Sequence, residues 1–490
     1  MNRLAIYADG DGQTINRHIY GHFAEHLGRC IYEGIWVGAD SPIPNTRGIR
    51  NDVAEALRCI NIPNLRWPGG CFADDYHWRD GIGPKENRPR RVNTHWGNVT
   101  ESNHFGTHEF MDLCSQLGCE PYICGNVGSG IVQEMRDWLE YMTFAGDSAL
   151  ANERRENGKN APWDITYWGV GNENWGCGGN MRAEYYADEY RRYATYCRHF
   201  GDGTLYRIAG GPHDEDYHWT EVLMREAAKR MEGLSLHYYS LIQWKDKKSA
   251  TQFDESEWFT LLKKALFIDN IISQHSAIMD RYDPEKRVGL IVDEWGAWHA
   301  VEPGTNPAFL YQQNTLRDAI LAGITLHIFH DHCDRIHMAN IAQTVNVLQA
   351  MVLTEGEKML LTPTYHVFEM FKHHQNGTRL PLLLQSEEYT FEGDVIPAVS
   401  ASASRNSMGE ILVTACNLNP VQPIDLFCSI HGAEVANVTG RVLTATAMNA
   451  FNTFESPETV KPVPFDGVTP DKNNLKMTLP AKSVVALTLS

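Results

Sequence analysis

Short apolar runs alternate with amphipathic stretches between residues 17 and 375 of the chain. Such runs are typical of strands buried in a parallel sheet, and the stretches between them have the spacing of helices. We predict eight strands, at residues 19–23, 64–67, 120–125, 165–169, 207–209, 234–238, 289–292 and 325–329, with helices between them at 52–60, 107–117, 183–200, 258–281 and 311–321. Eight strand–helix units predict an α/β fold, the closed (β/α)8 TIM barrel. An open doubly wound sheet is the alternative, but no GxGxxG turn follows the first strand.

The pattern changes after Gly377, where helical periodicity stops and short β-rich runs begin. These runs lie at 380–384, 396–400, 410–416, 423–430, 442–444, 475–479 and 483–489. They predict a C-terminal antiparallel β-sandwich of the jelly-roll kind. Residues 3–8 also have a strand pattern, and we expect this N-terminal strand to pair into the sandwich. The predicted division is an N-terminal strand at 1–16, a barrel at 17–376 and a sandwich at 377–490.

The composition of the 490-residue chain is that of an ordinary globular protein, with 43% hydrophobic and 21% charged residues. A net charge of −18 disfavours nucleic acid and anionic membranes as partners. No segment approaches the roughly 20 apolar residues of a membrane span. Residues 1–9 lack the apolar stretch of a signal peptide. We therefore expect a cytoplasmic protein that binds neither nucleic acid nor membrane.

Eleven cysteines are scattered along the chain, and several, such as Cys59, Cys114 and Cys197, fall in helix-like stretches. Their odd number and the lack of a CxxC pair predict reduced thiols. The spacing typical of zinc ligands is also absent from the sequence. We expect no structural metal and no cofactor.

Two glutamates, Glu173 and Glu294, each end a predicted strand and are followed closely by tryptophan. The carboxyl ends of barrel strands meet at one face, where such folds carry their chemistry. A carboxyl pair in which one group protonates the leaving oxygen and the other attacks carbon is typical of a glycosidase. The alternative for Glu173 is a helix cap or loop ion pair, and for Glu294 a structural carboxylate paired to arginine. The sequence Asn172-Glu173-Asn174-Trp175 after a strand favours catalysis.

Other strand ends carry candidate supporting residues. Arg66, at the end of the second strand, and Tyr239, after the sixth, are candidates to keep a nucleophilic carboxylate ionised. Glu25 follows the first strand and is either an acceptor for sugar hydroxyls or a helix cap. The Gly69-Gly70 pair either lets the backbone approach a ligand closely or forms a plain turn.

Loop histidines and tryptophans leave alternatives open. His330 and His332, after the predicted eighth strand, have the spacing of a metal-binding pair. The further ligands that a metal-dependent barrel hydrolase needs are not found at other strand ends, so we favour hydrogen-bonding or packing roles. Trp96, Trp175 and Trp298 follow strands, where sugar stacking and packing on the barrel rim are equally compatible.

Six motifs follow one another along residues 16–346. They read Asn16-Arg17-His18-Ile19-Tyr20-Gly21-His22-Phe23 with Glu25-His26-Leu27-Gly28, Arg66-Trp67-Pro68-Gly69-Gly70, Tyr76-His77-Trp78-Arg79-Asp80-Gly81-Ile82-Gly83-Pro84, Trp168-Gly169-Val170-Gly171-Asn172-Glu173, Asp293-Glu294-Trp295, and Ala339-Asn340-Ile341-Ala342-Gln343-Thr344-Val345-Asn346. Together they resemble the barrel of the glycoside hydrolase family 51 α-L-arabinofuranosidases.

The resemblance implies a retaining α-L-arabinofuranosidase with a (β/α)8 barrel and a C-terminal β-sandwich. It implies that Glu173 is the acid/base and Glu294 the nucleophile. Contacts to the arabinofuranose are implied for Glu25, Asn172, Tyr239 and Gln343. Members of this family are commonly hexamers and mostly cytoplasmic in bacteria, so a homo-oligomer, a hexamer by resemblance, is expected.

One position departs from the family pattern. Many members carry Asn after the Pro-Gly-Gly turn, where it binds a sugar hydroxyl, whereas this chain has Cys71. A thiol is a poor hydrogen-bond partner, so Cys71 is expected only to line the pocket. A branch of the family shares this cysteine, and we do not interpret it as inactivation.

The sequence predicts exo-acting release of terminal L-arabinofuranose from arabino-oligosaccharides, such as arabinan or arabinoxylan fragments, by double displacement. The two carboxyl groups should lie about 5–5.5 Å apart. Arg66, Trp175 and Trp298 are expected to support the site. The alternatives are an endo-β-glucanase of the same family, a metal-dependent barrel hydrolase and a catalytically silent sugar-binding protein.

Overall fold

A closed barrel of eight parallel strands forms the body of the chain, and a domain of two sheets follows it. The computed structural model describes residues 2–490, with the backbone alone for Pro470 and Asp471. The predicted fold class is confirmed. The first to eighth barrel strands are Gly21–Phe23, Asn64–Trp67, Glu120–Gly125, Tyr167–Val170, Tyr206–Ala209, Gly233–Ser240, Gly289–Ala297 and Ile336–Ala342.

The helices follow caps and breaks that are visible in the sequence. Thr107–Leu117, for example, buries Phe110 and Leu113 and ends at Gly118, whose φ of +70° favours glycine. The α-helices of the described residues are Asn51–Cys59, Thr107–Leu117, Val132–Thr143, Ala149–Glu156, Ala183–Tyr196, Tyr217–Ala227, Glu255–Leu266, Ile268–Tyr282, Leu316–Asp331 and Pro363–Phe371. Short 3-10 helices lie at Arg17–Tyr20, Cys71–Asp74, Trp78–Gly81, Lys85–Asn87, Ala228–Arg230, Pro307–Phe309 and Lys372–His374.

The eighth strand is not where the sequence pattern predicted it. Residues 325–329 lie inside the helix Leu316–Asp331, and the eighth strand is Ile336–Ala342. The prediction was wrong because every residue of this helix as far as His330 is buried, so the helix lacks the polar face that normally marks one. The helix also starts later than residue 311, from Thr315, whose hydroxyl accepts the Arg317 N–H.

The sixth and seventh barrel strands are longer than predicted, because polar residues continue both buried strands beyond their apolar runs. They span Gly233–Ser240 and Gly289–Ala297. Glu294 therefore lies within the seventh strand rather than at its end, and Tyr239 lies within the sixth. The remaining strands, apart from the eighth, overlap their predicted positions.

The N-terminal strand joins the C-terminal domain, as predicted. Asn2–Tyr7 pairs antiparallel with Leu382–Gln385 and parallel with Ile424–His431, so one pair departs from the predicted antiparallel pattern. The five-stranded sheet has the order Leu382–Gln385, Asn2–Tyr7, Ile424–His431, Asn474–Leu479 and Val468–Asp471. The six-stranded sheet has the order Thr378–Arg379, Val399–Arg405, Ile411–Asn417, Ser483–Leu489, Val438–Leu443 and Val463–Pro464. The domain boundaries after residues 16 and 376 stay a prediction.

Within residues 2–490, four two-stranded antiparallel sheets lie outside the barrel and the two larger sheets. They pair Asn45–Thr46 with Ile49–Arg50, Arg91–Asn93 with Val99–Glu101, Val352–Glu355 with Lys358–Leu361, and Glu388–Phe391 with Asp394–Pro397. Among the residues that the structure describes, none of the helices combines the length and the apolar character needed to cross a bilayer.

Three buried histidines join the barrel to the C-terminal domain. Their ring nitrogens pair with hydroxyl groups at 2.7–3.1 Å: His327 with Ser400 and Thr414, His330 with Tyr20 and Ser402, and His374 with Ser404 and Thr414. Burial lowers the pKa of His327 and of His374 to about 3, and the pKa of His330 well below its usual range. The interface therefore holds neutral imidazole rings.

The free energy of unfolding should fall in acid because these rings must stay neutral in the fold. Unfolded histidine has a pKa of about 6.5. The contribution of His327 is therefore intact above about pH 6.5 and is lost as the pH falls toward about 3. For one such histidine the loss is on the order of 2 kcal/mol between pH 7 and pH 5.

Urea unfolding between pH 7 and pH 4 tests this expectation. His327→Gln should show a shallower pH dependence than the wild type, by about one proton. The exposed His218 provides the matched control, and His218→Gln should keep the wild-type slope. Equal slopes for all three proteins would contradict the neutral-interface account.

Candidate active site

A small cavity lies at the carboxyl ends of the barrel strands. Several different strands and the loops after them supply its walls. The lining includes residues singled out from the sequence, namely Glu25, Gly70, Cys71, Trp96, Glu173, Tyr239, Glu294, Trp298 and Gln343. The rest of the lining comprises Leu27, Leu310 and Leu348.

The two glutamates face one another in this cavity. One carboxylate oxygen of Glu173, one of Glu294 and a ring nitrogen of His237 all lie within 4.8 Å of one another. Retaining glycosidases hold their carboxyl groups about 5–5.5 Å apart, whereas inverting enzymes keep about 6.5–9.5 Å between them to admit a water. The spacing here is that of the retaining class.

Donors surround the carboxylate of Glu294. Arg66 Nη1 donates to Oε1 at 2.9 Å, and the Tyr239 hydroxyl donates to Oε2 at 2.8 Å. His237 Nδ1 lies 3.5 Å from Oε2. Burial raises the pKa of Glu294, and the positive charges of His237 and Arg66 oppose that rise. Hydrogen bonds to both oxygens stabilise the ionised form, which a nucleophile requires.

His237 lies between the two glutamates, and the sequence analysis missed it. Its Nδ1 is 2.8 Å from Glu173 Oε1, and its Nε2 is 3.2 Å from Asp293 Oδ1. Burial disfavours the charged ring, but three carboxylates around it outweigh burial and raise the pKa of His237 to about 10. The imidazolium thus offsets the repulsion between the paired carboxylates. The only feature of the sequence that could have identified His237 is that it is a histidine inside the apolar run 234–238.

Arg66 connects the nucleophilic position to Asn172. It is fully buried, its Nη2 donates to Asn172 Oδ1, and its guanidinium lies 4.6 Å from the centroid of the Phe23 ring. Arg66 Nη1 also donates to the main-chain oxygen of Asp293 at 3.0 Å. Asn172 is not among the residues that line the cavity, so its predicted contact with sugar stays a prediction.

Glu25 forms a separate polar group in the cavity. Its carboxylate accepts from the Phe72 N–H, from Trp96 Nε1 and from Gln343 Nε2, each at 3.0 Å. Burial and the negative charge of Glu294 raise the pKa of Glu25 to about 7. This carboxyl group therefore changes protonation near neutral pH.

The glycine pair after the second strand admits these carboxylates. A Cβ on Gly70 would lie 2.7 Å from Glu294 Oε1, and one on Gly69 would lie 2.9 Å from Glu25 Oε1. Both distances are too short for a side chain. Of the two alternatives left open for this pair, the structure shows a close approach of the backbone, but to two acidic side chains of the protein itself.

Glu173 lies in a strained turn directly after the fourth strand. Its φ of +42° is in the left-handed region, which is uncommon for a residue with a Cβ. Asp74 holds this turn, because its Oδ2 accepts from the Asn172 N–H at 2.8 Å and from Asn174 Nδ2 at 3.1 Å. Its Oδ1 accepts from two main-chain N–H groups after the third strand. Three strand ends therefore meet on one buried carboxylate.

Cys71 and Cys177 form a disulfide bond, so the prediction that all the cysteines are reduced thiols is wrong. The bond joins the turn after the second strand to the loop after the fourth, across 106 residues. The closure of the barrel brings these loops together, and no local sequence pattern reports that. The other nine cysteines are free. Cys71 lines the cavity without an S–H group.

The three loop tryptophans have different surroundings. Trp298 lines the cavity and packs against Tyr239, with ring centroids 5.1 Å apart. Trp96 also lines the cavity. Trp175 does not, and its ring packs on that of His213 at 4.2 Å. Trp175 therefore packs on the barrel rim and does not form part of the cavity wall.

His330 and His332 lie away from the cavity. They are at the end of the helix that precedes the eighth strand, not after that strand, because the predicted strand is part of the helix. His330 is bonded to Tyr20 and Ser402, and His332 Nε2 lies 2.6 Å from Asp269 Oδ1. The predicted placement of both histidines was wrong.

Within the described part of the chain, potential metal ligands come together in two groups, Glu173–His237–Glu294 and Cys71–Glu173–Cys177. In the first group both ring nitrogens of His237 already face carboxylates. In the second group the sulfurs are bonded to each other. Neither group offers the free imidazole nitrogen or thiolate that a transition metal needs. The arrangement is suited to the chemistry of two carboxyl groups.

Comparison with known families agrees with this geometry. The model of the α-L-arabinofuranosidase 1 domain matches residues 56–257, and that of the α-L-arabinofuranosidase C-terminal domain matches residues 293–483. An intracellular exo-α-L-arabinofuranosidase of Bacteroides ovatus is 51% identical over 99% of this chain and 95% of that relative.

Solved structures agree as well. A family 51 arabinofuranosidase from Xanthomonas axonopodis pv. citri is 52% identical, covers 100% of this chain and 99% of its own, and superposes with a TM-score of 0.99. An α-L-arabinofuranosidase from Thermotoga maritima, solved as an arabinose complex, is 30% identical over 100% of this chain and 99% of its own, with a TM-score of 0.87. The resemblance read from the sequence motifs is confirmed: the chain belongs to the α-L-arabinofuranosidases of glycoside hydrolase family 51.

Proposed function

We propose that this enzyme releases terminal α-L-arabinofuranosyl residues by double displacement, with Glu173 as acid/base and Glu294 as nucleophile. The observation that carries the proposal is the approach of the two carboxylates to within 4.8 Å in one cavity. That spacing leaves no room for a water between carboxylate and sugar, which inversion would require.

In the first displacement, Glu294 attacks the anomeric carbon while Glu173 protonates the departing glycosidic oxygen. A glycosyl–enzyme ester forms as the glycosidic bond breaks. Arg66 and Tyr239, bonded to the two oxygens of Glu294, orient this carboxylate and keep it ionised before attack.

In the second displacement, Glu173 has lost its proton and acts as a base toward water. The negative charge of Glu294 disappears on esterification and returns when the ester is hydrolysed. His237 contacts both glutamates, so its positive charge remains next to whichever carboxylate is ionised. Two inversions at the anomeric carbon give arabinose with retained configuration.

The small size of the cavity supports exo-acting cleavage, since a small pocket suits a single terminal sugar. Glu25, Tyr239 and Gln343 supply polar groups for sugar hydroxyls, and Leu27, Leu310 and Leu348 supply apolar wall. Asn172 is proposed as a further contact from the family resemblance. An endo-acting glucanase needs an open cleft for a continuous chain instead.

The proposed natural substrates are short arabino-oligosaccharides derived from arabinan or arabinoxylan. An intracellular location is proposed because the Bacteroides ovatus relative is named an intracellular enzyme. The hexameric assembly is proposed on the family resemblance.

Substrate selection tests the proposed activity. The enzyme should hydrolyse an aryl α-L-arabinofuranoside, leave carboxymethylcellulose intact and keep its rate in the presence of a chelator. Cleavage of carboxymethylcellulose would favour the endo-glucanase, loss of activity to the chelator would favour the metal-dependent hydrolase, and arabinose binding without turnover would favour a silent sugar-binding protein.

A further inference from the structure

The turn at residues 71–74 is attached to the loop at residues 172–178 in two independent ways. The Cys71–Cys177 disulfide is the covalent attachment, and the two N–H groups that Asn172 and Asn174 donate to Asp74 are the polar one. The two attachments act on different parts of Glu173. Asp74 accepts from the main-chain N–H of Asn172 and from the side-chain amide of Asn174, on either side of Glu173, whereas the disulfide touches the Glu173 carboxylate.

The disulfide forms a wall beside the Glu173 carboxylate. Cys177 Sγ lies 3.4 Å and Cys71 Sγ 3.9 Å from Oε2. A disulfide has no hydrogen to donate, so neither sulfur can bond to the carboxylate. The other carboxylate oxygen, Oε1, is 2.8 Å from His237 Nδ1. Among the described residues, no N–H or O–H group donates to Oε2, so this oxygen is the one available to hold the catalytic proton.

Two thiols in the same positions would behave differently. At the present sulfur positions, 3.4 and 3.9 Å from Oε2, each S–H would lie within the range in which sulfur donates a hydrogen bond to a carboxylate oxygen. Donors to the ionised form of an acid stabilise that form. Thiols here would thus oppose protonation of Glu173 and compete with the glycosidic oxygen for Oε2.

We propose that the Cys71–Cys177 disulfide is a positioning element for the acid/base glutamate, which keeps Glu173 Oε2 fixed and free of sulfur donors, and that a dithiol entering through the substrate cavity switches this element off. The inference rests on the proposed acid/base role of Glu173. In the reduction, the S–S bond breaks, each sulfur gains one electron and one proton, and the dithiol closes to its own cyclic disulfide.

The location of the bond makes it selectively reachable. Cys71 lines the cavity, and both cysteines are only partly buried. Of the nine free cysteines, Cys59 is the exposed one, and the others are buried. A bound arabinose would stand between solvent and the disulfide, so the sugar should slow the reduction.

Two double variants separate the absence of donors from the presence of the covalent bond. Cys71→Ser with Cys177→Ser places hydroxyl donors where the thiols would be, whereas Cys71→Ala with Cys177→Ala places none. The readout is the pH profile of kcat/KM for methyl α-L-arabinofuranoside, whose departing group needs a proton. If the disulfide had a merely structural role, its loss would lower kcat/KM at every pH without shifting the profile along the pH axis.

We expect the basic limb of this profile to move to lower pH by about half a unit or more in the serine pair and in the dithiol-treated wild type. The alanine pair should keep the position of the limb and should not respond to dithiol. Cys59→Ser is the matched control, and it should respond to dithiol as the wild type does. Thiol counts after quenching should rise from nine to eleven.

Three results would overturn the inference. The basic limb of the pH profile could stay in place in dithiol-treated wild type although eleven thiols are counted. The alanine pair could shift as far as the serine pair. The count could remain at nine after prolonged treatment of the sugar-free enzyme, which would refute reduction through the cavity. Failure of the proposed function is distinguishable, because in that case Glu173→Ala would itself lack any dependence on the leaving group.

Discussion

Replacement of Glu294 by alanine is expected to lower the turnover of aryl arabinofuranosides by on the order of 10⁴-fold or more. The first displacement loses its attacking atom, and no other carboxylate of the cavity can take its place. Glu173 contacts the same His237 but is needed for proton transfer, and Glu25 is held by donors from three other residues. Steady-state kinetics of purified protein provide the measurement.

Azide distinguishes a lost nucleophile from a damaged fold. The alanine side chain leaves room beside the Arg66 guanidinium and the His237 ring, two cations that attract a small anion. Azide should therefore restore turnover and give an arabinosyl azide of inverted configuration. Glu434→Ala, which removes an exposed carboxylate, serves as control and should keep the wild-type rate. An inactive Glu294→Ala protein that azide does not rescue, with a native circular dichroism spectrum, would argue against this role.

Replacement of Glu173 by alanine should have an effect that depends on the leaving group. General acid catalysis contributes roughly 10²–10⁴-fold, and a departing alkoxide needs it far more than a nitrophenolate does. We expect kcat/KM, which reports the first displacement, to fall by about that factor for methyl arabinofuranoside and much less for the 4-nitrophenyl compound.

A matched comparison makes this expectation specific to proton donation. Asp74→Asn disturbs the loop that carries Glu173, because an amide nitrogen would face N–H donors, but it leaves the carboxyl group itself in place. Asp74→Asn should lower kcat/KM for both substrates by similar factors, without the large difference between substrates that Glu173→Ala produces. If Glu173→Ala lowered kcat/KM by equal factors for both substrates, the acid/base assignment would be wrong.

The barrel and the two glutamates could be predicted from the sequence, because their signals are local. Seven of the eight strands have apolar runs near their predicted positions, and Glu173 follows one such run directly. The eighth strand could not be found in this way, since the helix Leu316–Asp331, which is buried as far as His330, has the same apolar character as a strand. Its burial depends on the C-terminal domain, which packs against it.

The polar connections within the site could not be predicted, because they join residues far apart in the chain. His237 becomes a charged bridge only when the fourth, sixth and seventh strands lie side by side. Cys71 and Cys177 have no motif spacing, and only closure of the barrel brings their sulfurs together. Gly70 could be read as a turn residue, but the carboxylate it admits lies 224 positions further along the chain.

Covalent trapping tests the central claim most directly. A slow fluorinated aryl arabinofuranoside, with fluorine at C2, should accumulate the glycosyl–enzyme ester, and peptide mass spectrometry should locate the added sugar. The account predicts one sugar per chain, on Glu294, with no label in the Glu294→Ala variant. A label on Glu173 or Glu25, or turnover without any covalent species, would contradict it.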